Sequence, residues 1–325
     1  MYKQFFGLQK APFNLTPDPE FLYLTEQHRE ALANFIYGIL AHKGIVSLTG
    51  NAGTGKTTLL MRMLQHLQPT RMQSSLIVNP TLTPSEFLEA AMLDFGFDNI
   101  PTSKAQRIVK LQSFLVQARQ EGRATVLIVD EAHKLSFELL EEIRLLGNFQ
   151  AAGETLLQIV LVGQPELDTV LNSGELMQFK QRISLRATIA PLTPEDVGAY
   201  IQHRWAVAGG ERMPFSVAAV DCIGQAAHRV PRLINAICDN ALGNAYADGS
   251  SRVEMRHVLA ACKDLQLDAA VPRSGAQPQA KPVPAAVMSR QMSTLERRAD
   301  GPAQRPSLLV RLRSRFRETQ RIETA

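Results

Sequence analysis

Apolar positions along the chain follow two periods. Short aliphatic runs at Ile45–Leu48, Leu76–Val78, Val126–Val129, Gln158–Val162 and Leu185–Ile189 are separated by longer stretches with apolar residues at helical spacing. That order predicts a parallel sheet with crossover helices. The runs at Val126–Val129 and Gln158–Val162 are almost uniformly apolar, as strands covered on both faces must be. Helical spacing marks Thr57–Leu67, Pro84–Phe95, Ser103–Gln120, Phe137–Phe149 and Pro165–Phe179. After Pro191 the strand pattern stops. Thr193-Pro194-Glu195-Asp196 is a helix start with its N-cap and proline in place. Pro194–Ala208, Val217–Ala227, Arg232–Tyr246 and Met255–Leu265 then predict a small all-helical domain.

From about Ala269 the chain turns to Pro, Ala, Gln, Ser and Arg, which cannot build a core, and residues 269–306 are expected to be a disordered linker. Within 307–325, Leu308, Leu309, Leu312 and Phe316 share one arc of a helical wheel with arginines around the rest. This is either a solvated arginine-rich extension or a basic amphipathic helix for a partner or an anionic membrane surface. The charge distribution sharpens the contrast. Residues 269–325 hold eleven basic and four acidic side chains, a net of +7, so the remaining chain is −3 although the whole is +4. The body of the protein thus gives no compositional reason to expect a nucleic-acid-coating surface.

No apolar run approaches the ~18 residues that span a bilayer, and the N-terminus lacks the pattern of a secretory signal. Cys222, Cys238 and Cys262 are too few and too far apart for a paired disulfide framework or a CxxC metal knuckle. They read as small core residues, Trp205 reads as a core or interface residue, and the expected compartment is the cytoplasm.

Two motifs carry chemistry. Gly50-Asn51-Ala52-Gly53-Thr54-Gly55-Lys56-Thr57, followed by Thr58, matches the phosphate-loop pattern between a predicted strand and a predicted helix. Its glycines let successive N–H groups turn toward phosphate oxygens above a helix N-terminus. Lys56 is placed for the β- and γ-phosphates, and the Thr57 hydroxyl for Mg²⁺. Then Val126-Leu127-Ile128-Val129-Asp130-Glu131, with its aspartate 74 residues after Lys56, is an apolar strand ending in two carboxylates, a Walker B sequence. Asp130 is expected to hold the magnesium and Glu131 to polarise an attacking water. An acidic helix cap would explain one carboxylate but not two beside a complete phosphate loop. The string Asp130-Glu131-Ala132-His133 resembles the name-giving box of one helicase class, but no other helicase motif accompanies it.

With both boxes placed, five parallel strands followed by a helical lid resemble the AAA+ ATPase module. The fold class expected is therefore α/β: an AAA+ P-loop NTPase with a five-stranded parallel sheet, a small all-helical lid domain and a disordered basic tail. The expected divisions are 1–191 for the nucleotide-binding domain, including a family-specific segment 1–40, then 192–268 for the lid and 269–325 for linker and tail. The likeness extends to Phe6-Gly7-Leu8, Pro12-Phe13, Thr16-Pro17-Asp18-Pro19, Tyr23 and His28-Arg29-Glu30-Ala31-Leu32, and then to Gly163-Gln164-Pro165-Glu166-Leu167, Gln181-Arg182-Ile183 and Val230-Pro231-Arg232-Leu233-Ile234-Asn235. In this order they resemble the ExeA/GspA family, ATPases associated with type II secretion and with pilus assembly.

That resemblance implies further roles. Gln164 occupies the sensor-1 position, with an ordinary loop glutamine as the alternative. Asn79 stands where related ATPases restrain the catalytic glutamate, or is simply a turn residue. Arg182 takes the place of an arginine finger offered to a neighbouring subunit, with Arg186 as its rival, and Arg232 that of the lid's sensor-2 arginine. Full-length relatives are expected to continue into a transmembrane helix and a peptidoglycan-binding domain. Since neither is readable here, a short form serving pilus or exopolysaccharide systems is expected, at most peripheral to the inner face of the membrane. The function expected is Mg-dependent ATP hydrolysis by a homo-oligomer that drives or regulates such a machine. The alternatives are a TniB-like regulator of DNA transposition and a nucleotide-dependent switch with little turnover. DNA is the less expected partner.

Overall fold

A doubly covered strand must be apolar on both faces, and the central strands of this chain are. In the computed structural model, which describes residues 2–70 and 72–267, β1 (Ile45–Gly50), β2 (Gln73–Ile77), β3 (Thr125–Val129), β6 (Leu157–Gly163) and β7 (Ile183–Ile189) form one parallel sheet in the order β2-β3-β6-β1-β7. Period-two alternation divides its core. Ile45, Leu127, Val129, Ile159 and Leu161 pack on one face with α4 (Pro84–Phe95), α5 (Lys104–Gln120), α6 (Phe137–Leu146) and α7 (Glu166–Leu171). Val46, Leu48, Val126, Ile128, Val160 and Val162 pack on the other with α2 (Glu26–Leu40) and α3 (Lys56–Leu67). The five predicted strands are therefore present, and so is the expected AAA+ fold class. The expected linker at 269–306 and basic helix at 307–325 lie outside the described residues.

Several local differences have identifiable causes. The helix expected over Phe137–Phe149 ends at Leu146, and the chain then makes a small hairpin of β4 (Gln150–Ala151) and β5 (Glu154–Thr155) that no expectation contained. Its two turn residues, Ala152 and Gly153, both have positive φ (51° and 81°). Alanine is an unusual occupant of such a turn, so the customary Asn-Gly or Asp-Gly signal is missing. The helix expected over Pro165–Phe179 is broken after α7 by Asn172-Ser173-Gly174 and resumes only as a 3₁₀ turn and α8 (Met177–Lys180). Helix α2 was also not among the predicted helices. It is started by Thr25, whose side chain accepts from the His28 N–H.

The lid consists of α9 (Pro194–Val207), α10 (Val217–Ala226), α11 (Pro231–Ala247) and α12 (Met255–Asp264). The N-terminal segment, expected to belong to the nucleotide-binding domain, divides between the two. After α1 (Tyr2–Phe5), residues up to Phe21 pack on the lid, whereas α2 packs on the sheet. Leu8, Phe13 and Phe21 are buried in the lid's own core, Gln9 and Lys10 donate their backbone N–H groups to the Ala208 carbonyl, and Tyr2 donates to Asp239 on α11. Burial of apolar surface decides this placement: without residues 2–21, which form a strap across the lid, the lid face around Trp205 and Phe215 would be open to water. Replacing Phe13, 1% exposed and edge-on to Phe215, by Ala is expected to destabilise the strap and lid by about 3–5 kcal/mol. Urea unfolding followed by Trp205 fluorescence measures this directly.

Candidate functional site

All five parallel strands deliver their C-terminal ends to one edge of the sheet, and a cavity of about 420 Å³ opens there beneath the lid, a size ordinary for a small-molecule site. Of the predicted binding residues, Ala52, Gly53, Thr54, Gly55, Lys56, Thr57 and Thr58 line it, as do Asn79, Asp130, Glu131, Gln164 and Arg232. Gly50 and Asn51 are not among the lining residues, but their carbonyls accept from the Lys56 ammonium at 2.7 and 2.9 Å.

Glycine is required in this loop by close approach. A Cβ on Gly50 would lie 2.4 Å from the Ile189 carbonyl oxygen of β7, and one on Gly53, whose φ is 79°, would lie 2.7 Å from the Arg232 Cβ. The Arg232 N–H donates to the Gly53 carbonyl at 3.2 Å, so the lid helix α11 rests directly on the loop. Gly55 (φ 99°) turns the chain into α3, whose N-terminus has no side-chain cap. Its first N–H groups are therefore left for a ligand.

The charged residues sit in tension with their burial. Asp130 is 3% exposed, and burial pushes its carboxyl up to about 6, against hydrogen bonds from the Glu131 N–H and the Thr57 hydroxyl. Burial likewise lowers the Lys56 ammonium from its ordinary value, opposed by the charges of Asp130, Glu131 and Glu166. The Thr57 hydroxyl donates to the Asp130 carboxylate at 3.2 Å. These two hard oxygen donors, side by side, suit adjacent positions in a small octahedral shell. No cluster of three or more His, Cys, Asp or Glu that could hold a metal occurs among the described residues. A cation here would accordingly be held by this pair together with ligand oxygens and water, which fits Mg²⁺ and a nucleotide.

Glu131 has φ 53° and ψ 33°, a left-handed conformation uncommon outside glycine. It opens a 3₁₀ turn over Ala132–Lys134, and its side chain stays 39% exposed toward the cavity, 3.5 Å from His133 Nε2 and 3.8 Å from Lys134 Nζ. Asn79 lines the cavity and is exposed, and its side-chain oxygen accepts from the Thr81 N–H at 3.4 Å, a contact that a turn residue also makes. Arg182 and Arg186 are exposed and do not line the cavity; Arg186 lies 4.0 Å from Asp168.

Three further residues belong to the site. His28, 3% exposed, sets its Nε2 3.3 Å from the Thr54 carbonyl and its Nδ1 2.6 Å from the Thr25 hydroxyl, and burial lowers its pKa, keeping the ring neutral at pH 7. Arg204 lines the cavity from α9. Its guanidinium donates to the carbonyls of Pro12 (2.6 Å) and Asn14 (3.3 Å) and stacks over Phe21 at 4.9 Å, joining strap to lid. Asn235 on α11 accepts from the Tyr200 hydroxyl at 2.8 Å. For His28 a signal was available, since it stands in the stretch that resembles the ExeA/GspA signature. The same holds for Asn235, which ends the Val230–Asn235 stretch that resembles that family; Arg204 carries none, because only the folded lid brings it to the cavity.

A family model described as an AAA domain matches residues 39–171. The chain is 41% identical over 254 residues to General secretion pathway protein A of Aeromonas hydrophila, covering 78% of this chain and 46% of that protein. The chain belongs to the ExeA/GspA-like AAA+ ATPases. It spans about half the length of that curated relative. It is also 25% identical over 263 residues to ATP-dependent target DNA activator B of Escherichia phage Mu, covering 78% of this chain and 76% of that protein. Among solved structures, the Aeropyrum pernix ORC2 protein shares the fold, with a TM-score of 0.61 at 16% identity over 79% of this chain and 72% of that one. No helix among the described residues of this AAA+ chain is long and apolar enough to cross a membrane.

The contact between Gly53 and Arg232 is testable. Gly53→Ala should weaken binding of a fluorescent ATP analogue roughly tenfold or more, by forcing loop and lid apart. Gly174→Ala, at a position with nothing within 4 Å, should leave affinity unchanged.

Proposed function

We propose that this AAA+ chain binds ATP with Mg²⁺ in the cavity under the lid and hydrolyses it. The observation that carries the proposal is the Thr57–Asp130 pair at 3.2 Å beside the buried Lys56, with Glu131 open to the same cavity. Leu15, Phe21, Leu22, Leu192 and Tyr200 supply an apolar end for the base. The loop N–H groups and the start of α3 take the phosphates. On phosphate binding, the Lys56 ammonium exchanges the Gly50 and Asn51 carbonyls for β- and γ-oxygens, which restores the charge pairing that burial opposes. Thr57 and Asp130 would hold Mg²⁺, whose chemistry when bound is to neutralise charge building on those oxygens. Glu131 accepts the proton of the attacking water, Gln164 reads the γ-phosphate as sensor 1, and Arg232 reaches it from α11 as sensor 2. Arg182, exposed and away from its own cavity, acts on the site of a neighbouring copy in a homo-oligomer.

The likeness to General secretion pathway protein A supports a setting in which the chain assembles or regulates a secretion machine, with a pilus or exopolysaccharide machine as the related reading. The chain would work at the cytoplasmic face of the membrane, with the basic segment 307–325 touching that machine or anionic lipid. The likeness to a target DNA activator favours a second reading, DNA binding through the same basic segment, as in a transposition regulator. A nucleotide switch with little turnover has less support, because Glu131 faces the cavity.

Lys56→Ala should abolish nucleotide binding. Glu131→Gln should bind normally while kcat falls at least about 100-fold, as read by phosphate release and fluorescent-nucleotide titration. Undiminished turnover in Glu131→Gln would overturn the assignment. Mixing Arg182→Ala with Lys56→Ala protein should restore part of the activity in co-assembled samples; no rescue would rule out action in trans by Arg182. Truncation at Ala269 should leave basal hydrolysis intact and remove sedimentation with anionic vesicles. Loss of double-stranded DNA binding at ~150 mM salt would instead favour the transposition reading.

A further inference from the structure

The geometry points to His133 as the positioning residue that joins the catalytic glutamate to sensor 1. This deepens the ATPase reading of the site and rests on it. Gln164 presents two groups to the ring: its backbone N–H donates to His133 Nδ1 at 3.3 Å, and its side-chain amide lies 3.2 Å from His133 Nε2. A backbone N–H can only donate, so Nδ1 is the acceptor and the proton of the neutral imidazole sits on Nε2. Nε2 lies within ion-pair distance of Glu131 Oε2, at 3.5 Å, and 3.2 Å from the Gln164 side-chain amide. Two N–H donors cannot face each other, so the Gln164 amide turns its oxygen to His133 and its NH₂ away from the ring, toward the cavity it lines. One imidazole thereby orients both the water-activating carboxylate and the donor that meets the γ-phosphate.

The backbone holds this arrangement. Glu131 adopts its left-handed conformation immediately before the 3₁₀ turn that carries His133. The end of β6 runs so close to that turn that a Cβ on Gly163 would lie 3.2 Å from the His133 nitrogen. The His133 side chain is 12% exposed, so water competes little for its nitrogens. Asn79, read either as a restraint on the glutamate or as a turn residue, accepts from the Thr81 N–H at 3.4 Å.

The test uses the full chain and separates binding from turnover. His133→Ala is expected to lower kcat about 10- to 100-fold, with fluorescent-ATP affinity within about twofold of the parent and the melting temperature retained. His133→Gln, which keeps an N–H donor near the position of Nε2, should recover much of the loss. The double variant His133→Ala/Gln164→Ala should be no slower than the slower single variant, since the two act as a unit. A long-range ¹H–¹⁵N spectrum should show His133 as the Nε2–H tautomer, with its signal moving in Glu131→Gln. Parental kcat in His133→Ala, a loss confined to nucleotide affinity, or an Nδ1–H tautomer would each overturn the positioning role alone. A parent chain that binds ATP without turnover would overturn the ATPase reading and this role together.

Discussion

At Gly50 the backbone of the phosphate loop passes so close to the Ile189 carbonyl that no side chain fits, and at Gly53 it lies equally close to the first turn of α11. The loop is thus held between the sheet and the lid, and the rest of the molecule is arranged around that confinement. Strand β1 enters between β6 and β7, so its end meets the ends of its neighbours at the same edge. Helix α3 leaves the loop with Leu59, Leu60, Met63 and Leu64 buried against the sheet. Its dipole and unpaired N–H groups consequently point into the cavity.

Burial supplies the second constraint. Both Lys56 and Asp130 are pushed toward their neutral forms, each relieved by opposite charge nearby. A site with such unspent electrostatics favours ligands that complete the pairing, which means phosphate oxygens for the ammonium and a divalent cation for the carboxylate. The lysine's present acceptors are loop carbonyls, weaker partners than anionic oxygens.

The lid cannot be considered apart from the strap. Arg204 is 8% exposed and has no carboxylate partner among the described residues; its charge is met by the Pro12 and Asn14 carbonyls and the ring of Phe21. Separating strap from lid would bare Leu8, Phe13 and Phe21, a cost of several kcal/mol at about 1.5–3 kcal/mol for each large side chain. The two therefore form one packed body, and both line the cavity. Any change in the lid's position relative to the loop alters the cavity's walls on both sides together.

Local patterns were enough to read the strands, most of the helices and the two phosphate-handling motifs. A strand covered on both faces declares itself by its apolar run, and a phosphate loop needs small residues at fixed spacing beside one lysine. Thr57 and Asp130 belong to those motifs, and their meeting at the sheet edge follows from parallel topology. The hairpin at Gln150–Thr155 was not legible, since Ala152 takes a conformation that its residue type does not announce. The strap's place on the lid was hidden as well, because apolar residues such as Phe13 state that they will be buried but not against what. His133 was visible beside the Walker B carboxylates, yet its two partners lie on different elements, Glu131 on its own turn and Gln164 beyond β6. Arg204 and Asn235 reach the cavity only when the lid folds over the loop. Spacing along the chain determined which residues gather into the two motifs at the sheet edge. Tertiary packing decided which side chains orient them, because hydrogen bonds made across elements leave no period in the sequence.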